Sequence, residues 1–197
     1  GEKFDKQPQF IVDTGCGDGS LLIHIYEYVR TQTPRGRVLA DYPLTMVGVD
    51  LNEDPRVTTA VNLSKNNIPH LVIPGDVGKP ADIVQSLKKK KVDPTKTLHV
   101  RSFLDHDRPY IAATSPLSSA SALFAMEQLS DFVHLDKEGK IISNTDVFGS
   151  LVQHFERWAA VLDVGFGLLV LEVMMLDVST TRRFFNDNVS FPLDLVQ

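Results

Sequence analysis

The stretch "FIVDTGCGDGSLL", residues 10–22, connects one short apolar run to another through a loop that holds three glycines. The first run favours a buried strand over 9–13, and the residues from 19 to 32 have the apolar spacing of a helix. Gly15, Gly17 and Gly19 stand between the two, and glycine permits both a sharp turn and the close approach of a ligand. The stretch therefore predicts a strand–loop–helix unit with a ligand at the loop.

The rest of the chain repeats this alternation of apolar runs and helical patterns. Further strands are predicted at 44–50, 70–76, 97–103 and 166–173, and further helices at 54–67, 80–90, 117–134 and 146–162. Strands and helices that alternate in this way are typical of an α/β protein with a parallel sheet.

Composition narrows the class of protein further. The chain has 197 residues, 43% of them hydrophobic, which suffices for one domain with its own core, so we expect a single domain over 1–197. No apolar run approaches the ~20 residues of a membrane span, and the polar start resembles no signal peptide, so we expect a cytoplasmic protein. The net charge of -5 disfavours a broad nucleic-acid surface, and one cysteine excludes an internal disulfide framework.

The spacing of the glycine loop separates two kinds of nucleotide site. Dinucleotide-binding loops read G-x-G-x-x-G and place a pyrophosphate on the helix N-terminus. Here the spacing is G-x-G-x-G, with Asp13 and Asp18 beside it. Two carboxylates suit a cation better than a pyrophosphate, which makes a dinucleotide dehydrogenase a weak alternative. A ligand with an ammonium group and a sulfonium fits better, with Asp13 at its amino end.

Acidic residues also follow the second and third predicted strands. Asp50 ends "VGVD", where a carboxylate can accept both hydroxyls of a ribose. Asp76 ends "IPGD", where it can meet the amine of an adenine. In a parallel sheet these strand ends share one edge with Asp13. The residues assigned to this predicted ligand site are Asp13, Gly15, Gly17, Asp50, Leu51, Asp76, Val77 and Phe103.

Over residues 9 to about 173 the chain resembles the class I S-adenosylmethionine (SAM) methyltransferases. "VDTGCGDGSLL" is similar to their first motif, and "VGVDLNE" and "GDV" to the next two. The resemblance implies SAM as cofactor and a Rossmann-like parallel sheet ordered 3-2-1-4-5, with helices on both faces. One departure is the long segment "TPRGRVLADYPLT", which we expect to form an extended loop before the second strand.

A second polar constellation, "HVRSFLDHDRPY" at 99–110, crosses the end of the fourth strand. In this fold that strand end faces the transferring methyl group, so His106 and Arg108 are candidate catalytic residues. A histidine here has three possible roles: general base, metal ligand, or structural hydrogen bonder.

The segment "SLVQHFERW" adds a third polar group on a predicted helix. Gln153 and His154 are adjacent and point about 100° apart, so one of them can face a site while the other is free to be exposed. Nitrogen and oxygen ligands together would suit iron or manganese. Two sets of residues follow the helical spacing of a buried face: Val152, Phe155 and Ala159, and also Leu151 and Trp158.

"HVRSFLDHDRP", "SLVQHFERW" and "FGLLVLEV" together resemble the C-methyltransferase domains in loading modules of bacterial polyketide synthases, the apratoxin type. This resemblance implies methylation of a malonyl-type group on an acyl carrier protein, beside neighbouring polyketide synthase domains. It implies Fe(II) or Mn(II) held by His106 and Gln153, with His154 as rival to Gln153. It also suggests that the chain is a fragment of a larger multidomain protein.

The sequence leaves two alternative functions open. One is a metal-free O- or N-methyltransferase for a small molecule, with His106 as general base. The other is a non-catalytic relative that binds SAM weakly or serves as a scaffold.

Overall fold

The computed structural model of the protein describes residues 3–116, 134–172 and 182–183. Two compact units contain them. One holds the described residues up to Pro109 together with His154–Glu172, and the other holds the described residues of Tyr110–Gln153 and of Val173–Gln197. The expectation of a single domain over the whole chain stays a prediction.

The first unit is built on a five-stranded parallel sheet. Its strands are β1 (Phe10–Thr14), β2 (Thr45–Asp50), β3 (His70–Pro74), β4 (Thr97–Ser102) and β7 (Leu168–Leu171). They are ordered β3-β2-β1-β4-β7, and each neighbouring pair is parallel. Because β7 is the fifth predicted strand, this arrangement confirms the predicted order 3-2-1-4-5; two short strands of the second unit precede β7 in the chain.

Helices cover both faces of this sheet. The first unit contains α1 (Ser20–Gln32), α2 (Glu53–Lys65), α3 (Pro80–Lys89) and the last part of α4 (Asn144–Leu162). Leu22 and Leu63, from α1 and α2, pack on one face against Ile11 and Met46. On the other face, residues of α3 and α4 pack against the opposite side of β1 and β2. The α/β prediction with helices on both faces is confirmed.

The long segment before β2 is fixed by one buried arginine. Arg35 lies in a 3₁₀ turn over Pro34–Val38 and is buried. Its guanidinium donates to the carbonyl oxygens of Pro8 at 2.8 Å, Pro43 at 2.9 Å and Tyr42 at 3.3 Å. Since these carbonyls come from both sides of the segment, Arg35 ties it to the approach of β1.

The second unit contains a short antiparallel pair, β5 (His134–Leu135) and β6 (Ile141–Ile142), and the start of α4. The Asp136 carboxylate closes the turn by accepting from the amides of Glu138 and Lys140. The Ser143 hydroxyl then caps α4 by accepting from the Asp146 amide at 3.1 Å. The predicted helix over 117–134 falls on residues 117–133, outside the described residues, and on His134, which is in β5.

In the first unit, α4 buries a polar residue. His154 and Trp158, four residues apart and so on one face, are each 1% exposed. Phe155 and Ala159 are exposed, so the prediction of a buried face through Val152, Phe155 and Ala159 is wrong. Leu168 and Val161 pack beside Trp158. None of the helices in the described ranges is long and apolar enough to cross a membrane.

Candidate active site

The glycine loop leaves open space at the carboxyl end of β1. Gly15, Gly17 and Gly19 all have positive φ angles, of 78°, 54° and 81°. The amides of Gly15 and Cys16 donate to the Val49 carbonyl at 2.8 and 3.2 Å, which ties the loop to the end of β2. A Cβ atom at Gly17 would meet nothing within 4 Å. The loop is thus anchored to β2 and has room for a ligand over Gly17.

The three predicted acids lie along this same edge. Asp13 is paired in register with Gly48 of β2 and Val100 of β4. Asp50 is the last residue of β2, opposite Pro74, and Asp76 follows β3 by two residues. The parallel register therefore brings all three to the carboxyl edge, as the sequence predicts.

Asp13 is the most perturbed of the three. It is 2% exposed, and its Oδ1 atom has no hydrogen-bond partner among the described residues. Burial, and secondarily the negative charge of Asp50, raises the pKa of Asp13 to about 8. A buried carboxyl group with an unpartnered oxygen suits a ligand that brings positive charge.

Asp50 and Asp76 are held by backbone amides. Asp50 accepts from Asn52 N at 3.0 Å and from Gly17 N at 3.4 Å. Asp76 accepts from Gly78 N at 2.8 Å, and its other oxygen lies 3.7 Å from the Lys79 ammonium. Because each carboxylate oxygen has two acceptor positions, both side chains can still accept from hydroxyl or amine groups of a ligand.

Two apolar residues project into solvent at this edge. Leu51 is 67% and Phe103 is 56% exposed. Phe103 adopts a positive φ of 54°, unusual for a side chain of its size, and its amide donates to the Leu171 carbonyl at 2.8 Å. Val77 is buried instead, and its carbonyl accepts from Trp158 Nε1 at 2.9 Å. Leu51 and Phe103 thus offer apolar surface to a ligand, whereas Val77 supports the wall behind it.

Beyond β4, a short 3₁₀ turn over Asp105–Asp107 presents His106. Its Nδ1 atom lies 2.8 Å from Oε1 of Glu172, the residue that follows β7. The other oxygen of Glu172 accepts from the amides of Asp105 and His106 at 2.7 and 3.2 Å. Glu172 thereby fixes both the turn and the imidazole. Within the described residues, Nε2 of His106 has no hydrogen-bond partner.

Under this turn lies a buried charged network. Asp105 accepts from Arg101 Nε at 2.6 Å and pairs with His154 Nε2 at 2.8 Å. Burial raises the pKa of Asp105, but the hydrogen bonds from His154 and Arg101 outweigh it, so the pKa lies below its usual range. Burial, assisted by Arg101, lowers the pKa of the neighbouring His99 to about 4, which keeps that imidazole neutral. Asp105 is therefore the anionic centre of the network.

The remaining predicted site residues fall in different units. Arg108 is in the first unit and donates to the Asp105 carbonyl at 2.9 Å. Gln153 is in the second unit, where its Oε1 accepts from Thr114 N at 2.9 Å and its Nε2 donates to Ser115 Oγ at 2.7 Å. His154, which sequence reasoning left free to be exposed, is buried against Asp105. Among the described residues, no group of three or more His, Cys, Asp or Glu side chains is arranged to hold a metal.

Sequence reasoning missed Glu172 as a site residue, although a signal for it exists. The rule that selected Asp13, Asp50 and Asp76 was an acid at the carboxyl end of a predicted strand. Applied to "LLVLEV", the same rule selects Glu172. The pairing of Asp105 with His154 spans 49 positions and has no comparable signal.

The whole chain, residues 1–197, matches the family model described as the AprA MT2-like domain. The protein belongs to this family of methyltransferases. This AprA MT2-like domain is therefore a SAM-dependent methyltransferase, with the Rossmann-like fold that the sequence predicts.

Two further comparisons add less. Among solved structures, the PH0226 protein from Pyrococcus horikoshii OT3 is 21% identical to the AprA MT2-like domain, with a TM-score of 0.31. The match covers 50% of this chain and 36% of that one, so the aligned region spans about a third of the relative's length. Similarity at this level carries no functional conclusion. No curated protein sequence matches the chain.

The residues at the carboxyl edge of this AprA MT2-like domain fit SAM. The unpartnered Oδ1 of buried Asp13 suits a cationic amino-acid end. The space over Gly17 admits a ligand close to the backbone. Asp50 and Asp76 each keep acceptor positions that hydroxyl or amine groups of SAM could use.

Proposed function

We propose that this domain methylates the acidic carbon of a malonyl-type acyl group carried on an acyl carrier protein, in polyketide biosynthesis. The observation that carries the proposal is the His106–Glu172 pair at the ends of β4 and β7, where the methyl acceptor is expected. The motifs shared with polyketide synthase C-methyltransferase domains support the choice of acceptor. Neighbouring synthase domains are the proposed partners.

Each cofactor contact has its own residue in this proposal. Asp13 and the glycine loop bind the amino-acid end of SAM, Asp50 binds the ribose, and Asp76 binds the adenine amine. Leu51 and Phe103 cover apolar parts of the cofactor. When bound, SAM supplies an electrophilic methyl group on a sulfonium.

With a metal stabilising the enolate, the acceptor chemistry would require little base strength. The C–H bonds between the carboxylate and the thioester carbonyl of a malonyl group are acidic. Transfer of one of these protons to water leaves an enolate, whose carbon forms a bond to the methyl as the carbon–sulfur bond breaks and its electron pair stays on sulfur. The domain's residues contribute by orienting the acyl group and excluding competing poses.

Metal assistance is part of the proposal. His106 offers Nε2 as a nitrogen ligand for Fe(II) or Mn(II), because Glu172 occupies Nδ1. Gln153 offers a carboxamide oxygen as the second ligand implied by the polyketide synthase resemblance. Such a metal would act as a Lewis acid that stabilises enolate charge.

One observation favours a second candidate function. Both polar atoms of the Gln153 amide already bond to residues 114–115. A histidine whose Nδ1 is held by a carboxylate is also a suitable general base. The second candidate is therefore a metal-free O- or N-methyltransferase for a small molecule, with His106 as the base.

The test is the intact mass of a malonyl-loaded carrier protein after incubation with the domain and SAM, with ferrous or manganous ion or with a chelator. A methyl gain that depends on metal and is lost in His106→Ala supports the full proposal. A gain that survives the chelator rejects metal assistance. No gain, together with transfer to a small alcohol or amine, supports the second candidate. His24→Ala, at an exposed histidine of α1, is the matched control.

A further inference from the structure

Arg101 is a buried cation with unused hydrogen-bond donors. It is 1% exposed, and its Nε atom donates to Asp105. Nη1 and Nη2 have no acceptor among the described residues. The guanidinium carbon lies 4.5 Å from the Trp158 ring centroid and 5.6 Å from that of Phe155. The aromatic rings therefore hold the guanidinium in place without satisfying its N–H groups.

Two further arginines share this property: Arg108, which donates to the Asp105 carbonyl, and Arg157, the residue before Trp158 on α4. The Nε atoms of Arg108 and Arg157 are buried and have no acceptor among the described residues. Burial lowers the pKa of Arg108; Asp105 opposes this effect, and the positive charge of Arg157 adds to it. Arg157 lies on α4 between His154, which pairs with Asp105, and Trp158, whose ring contacts Arg101.

The unpartnered groups of Arg101, Arg108 and Arg157 have one chemical character. Four guanidinium nitrogens are unpartnered, and each of them can only donate. Buried donors without an acceptor are rare in folded proteins. Of these three arginines, Arg101 forms an ion pair among the described residues, with Asp105. Asp105 satisfies Arg101 Nε, whereas these four nitrogens have no acceptor among the described residues.

We infer that Arg101, Arg108 and Arg157 form a carboxylate-binding site. The identity of this carboxylate rests on the proposed function: it is the free acid group of the malonyl-type acceptor. A carboxylate matches the planar fork of a guanidinium with two parallel hydrogen bonds. Arg101 is the penultimate residue of β4 and Arg108 follows His106 by two residues, so the cluster is at the strand end assigned to the acceptor.

This site gives the enzyme a means of substrate selection. An acyl group without a free carboxylate leaves the buried donors unpartnered and loses affinity. A malonyl-type group satisfies them, and binding at its acid end leaves the carbon between the two carbonyls facing the rest of the site. The arginines are therefore binding residues that choose a diacid thioester over a monoacid one.

The test measures binding of malonyl-N-acetylcysteamine thioester and of its uncharged methyl ester by calorimetry, using the full chain with SAM affinity recorded in parallel. We expect the wild type to bind the acid about tenfold or more tightly than the ester, since charged hydrogen bonds are lost with the ester. Arg157→Gln and Arg108→Gln should each reduce this preference at least threefold. Arg157→Lys should fall between Arg157→Gln and the wild type.

Controls separate binding from folding. Arg30→Gln removes the same charge from exposed α1 and should leave the preference unchanged. Arg101→Lys tests the buried member, with circular dichroism to verify its fold, and should weaken acid binding with SAM affinity intact. Because Arg157 is only partly buried, its variant keeps the test valid if Arg101→Lys fails to fold.

Three outcomes would overturn the inference. The first is equal binding of acid and ester by the wild type, and the second is an unchanged preference for the acid in both Arg157→Gln and Arg108→Gln. The third is binding of inorganic phosphate that depends on these arginines and displaces the malonyl thioester. The last result would assign the site to a phosphate group, such as that of a carrier's pantetheine arm. If the domain prefers the acid to the ester but transfers no methyl group to a malonyl-loaded carrier protein, the proposed function is rejected and the carboxylate site is kept. If it transfers the methyl group but binds acid and ester equally, the carboxylate site is rejected and the proposed function is kept.

Discussion

The imidazole of His106 and the carboxylate of Glu172 meet at 2.8 Å across 66 positions of sequence. A carboxylate can only accept, so Nδ1 of His106 is the donor and Nε2 keeps its lone pair. The two backbone amides bound to the other oxygen fix Glu172 itself. Glu172 is thus a positioning residue that selects the imidazole tautomer needed by a base or a metal ligand.

Replacing Glu172 should reduce methyl transfer and leave cofactor binding intact. Glu172→Gln keeps an acceptor for Nδ1 but loses the charge, and Glu172→Leu loses both. We expect losses of about 10–100-fold in kcat, larger for the leucine variant, as for other residues that orient an active histidine. The measurements are steady-state methyl transfer and calorimetric SAM affinity. Equal activity of Glu172→Leu and the wild type would contradict this role, and Glu27→Gln on exposed α1 is the control.

Asp13 should make the ligand-free domain less stable as the pH rises. Its pKa is about 8 in the folded chain against an ordinary value of 3.8. Between these values the unfolded chain is ionised while the folded one retains the proton, so each pH unit disfavours folding by up to about 1.4 kcal/mol. Below this window both states are protonated, and above it the penalty is constant. Asp13→Asn should remove this dependence, which urea unfolding at pH 5, 7 and 9 can measure.

Cofactor binding should in turn release a proton from Asp13. A cationic ligand favours the ionised carboxylate, so at pH 7 the bound complex gives up as much as one proton. Calorimetry in two buffers with different ionisation enthalpies measures that number. The wild type should show release and Asp13→Asn should show less, with weaker SAM binding; identical proton release by the two proteins would place the titrating group elsewhere.

A methyl group at Gly17 should act on the ligand more than on the fold. Ala at a φ of 54° costs about 1 kcal/mol in backbone strain, but no protein atom lies within 4 Å of the new Cβ. We expect Gly17→Ala to weaken SAM binding about tenfold or more, because the Cβ occupies the space of the cofactor. Gly139→Ala is a matched control, with a φ of 80° and the same open surroundings in the β5–β6 turn. Similar SAM affinity in both variants would mean that the ligand does not approach Gly17.

Arg35 should be a stability residue with no part in catalysis. Arg35→Ala leaves three carbonyls that lose a charged donor, so we expect a loss of about 2–4 kcal/mol in the free energy of unfolding. The exposed Arg37→Ala should change stability by less than about 0.5 kcal/mol. Chemical denaturation measures both, and a small effect at Arg35 would show that the segment before β2 is held by other contacts.

Most of the sheet could be predicted because its central strands, β1 and β2, are apolar and almost wholly buried. Apolar runs at 10–12 and 46–49 mark these two strands, and the observed ends of all five strands differ from the predicted ones by at most two residues. The sequence predicts a helix over 146–162, and the structure has it over Asn144–Leu162. The buried Trp158 agrees with the predicted face, whereas the exposed Phe155 and Ala159 do not. Helical spacing shows which residues share a face of the helix, but the residues that this face packs against depend on the tertiary structure. Here the partner is Asp105, which draws His154 inward and leaves Phe155 exposed.

Some residues of the candidate site could be predicted from the sequence and others could not. Asp13, Asp50 and Asp76 could be placed at one edge because parallel register fixes where strand ends meet. The role of Glu172 required knowing that β7 pairs with β4, which brings its end beside His106. The Arg101–Asp105–His154 network had no sequence signal, since hydrogen bonds between distant side chains leave no periodic pattern.

Trp158 contacts residues of both proposed binding sites, and its fluorescence can be observed directly. It is the single tryptophan of the chain, its indole N–H is bound to the Val77 carbonyl beside Asp76, and its ring lies against the Arg101 guanidinium. One intrinsic fluorophore therefore contacts Val77, beside Asp76 of the proposed cofactor site, and Arg101 of the proposed carboxylate site. Its emission should respond to SAM and to a carboxylate acceptor separately, so the order in which the two bind can be read in real time from the unlabelled protein.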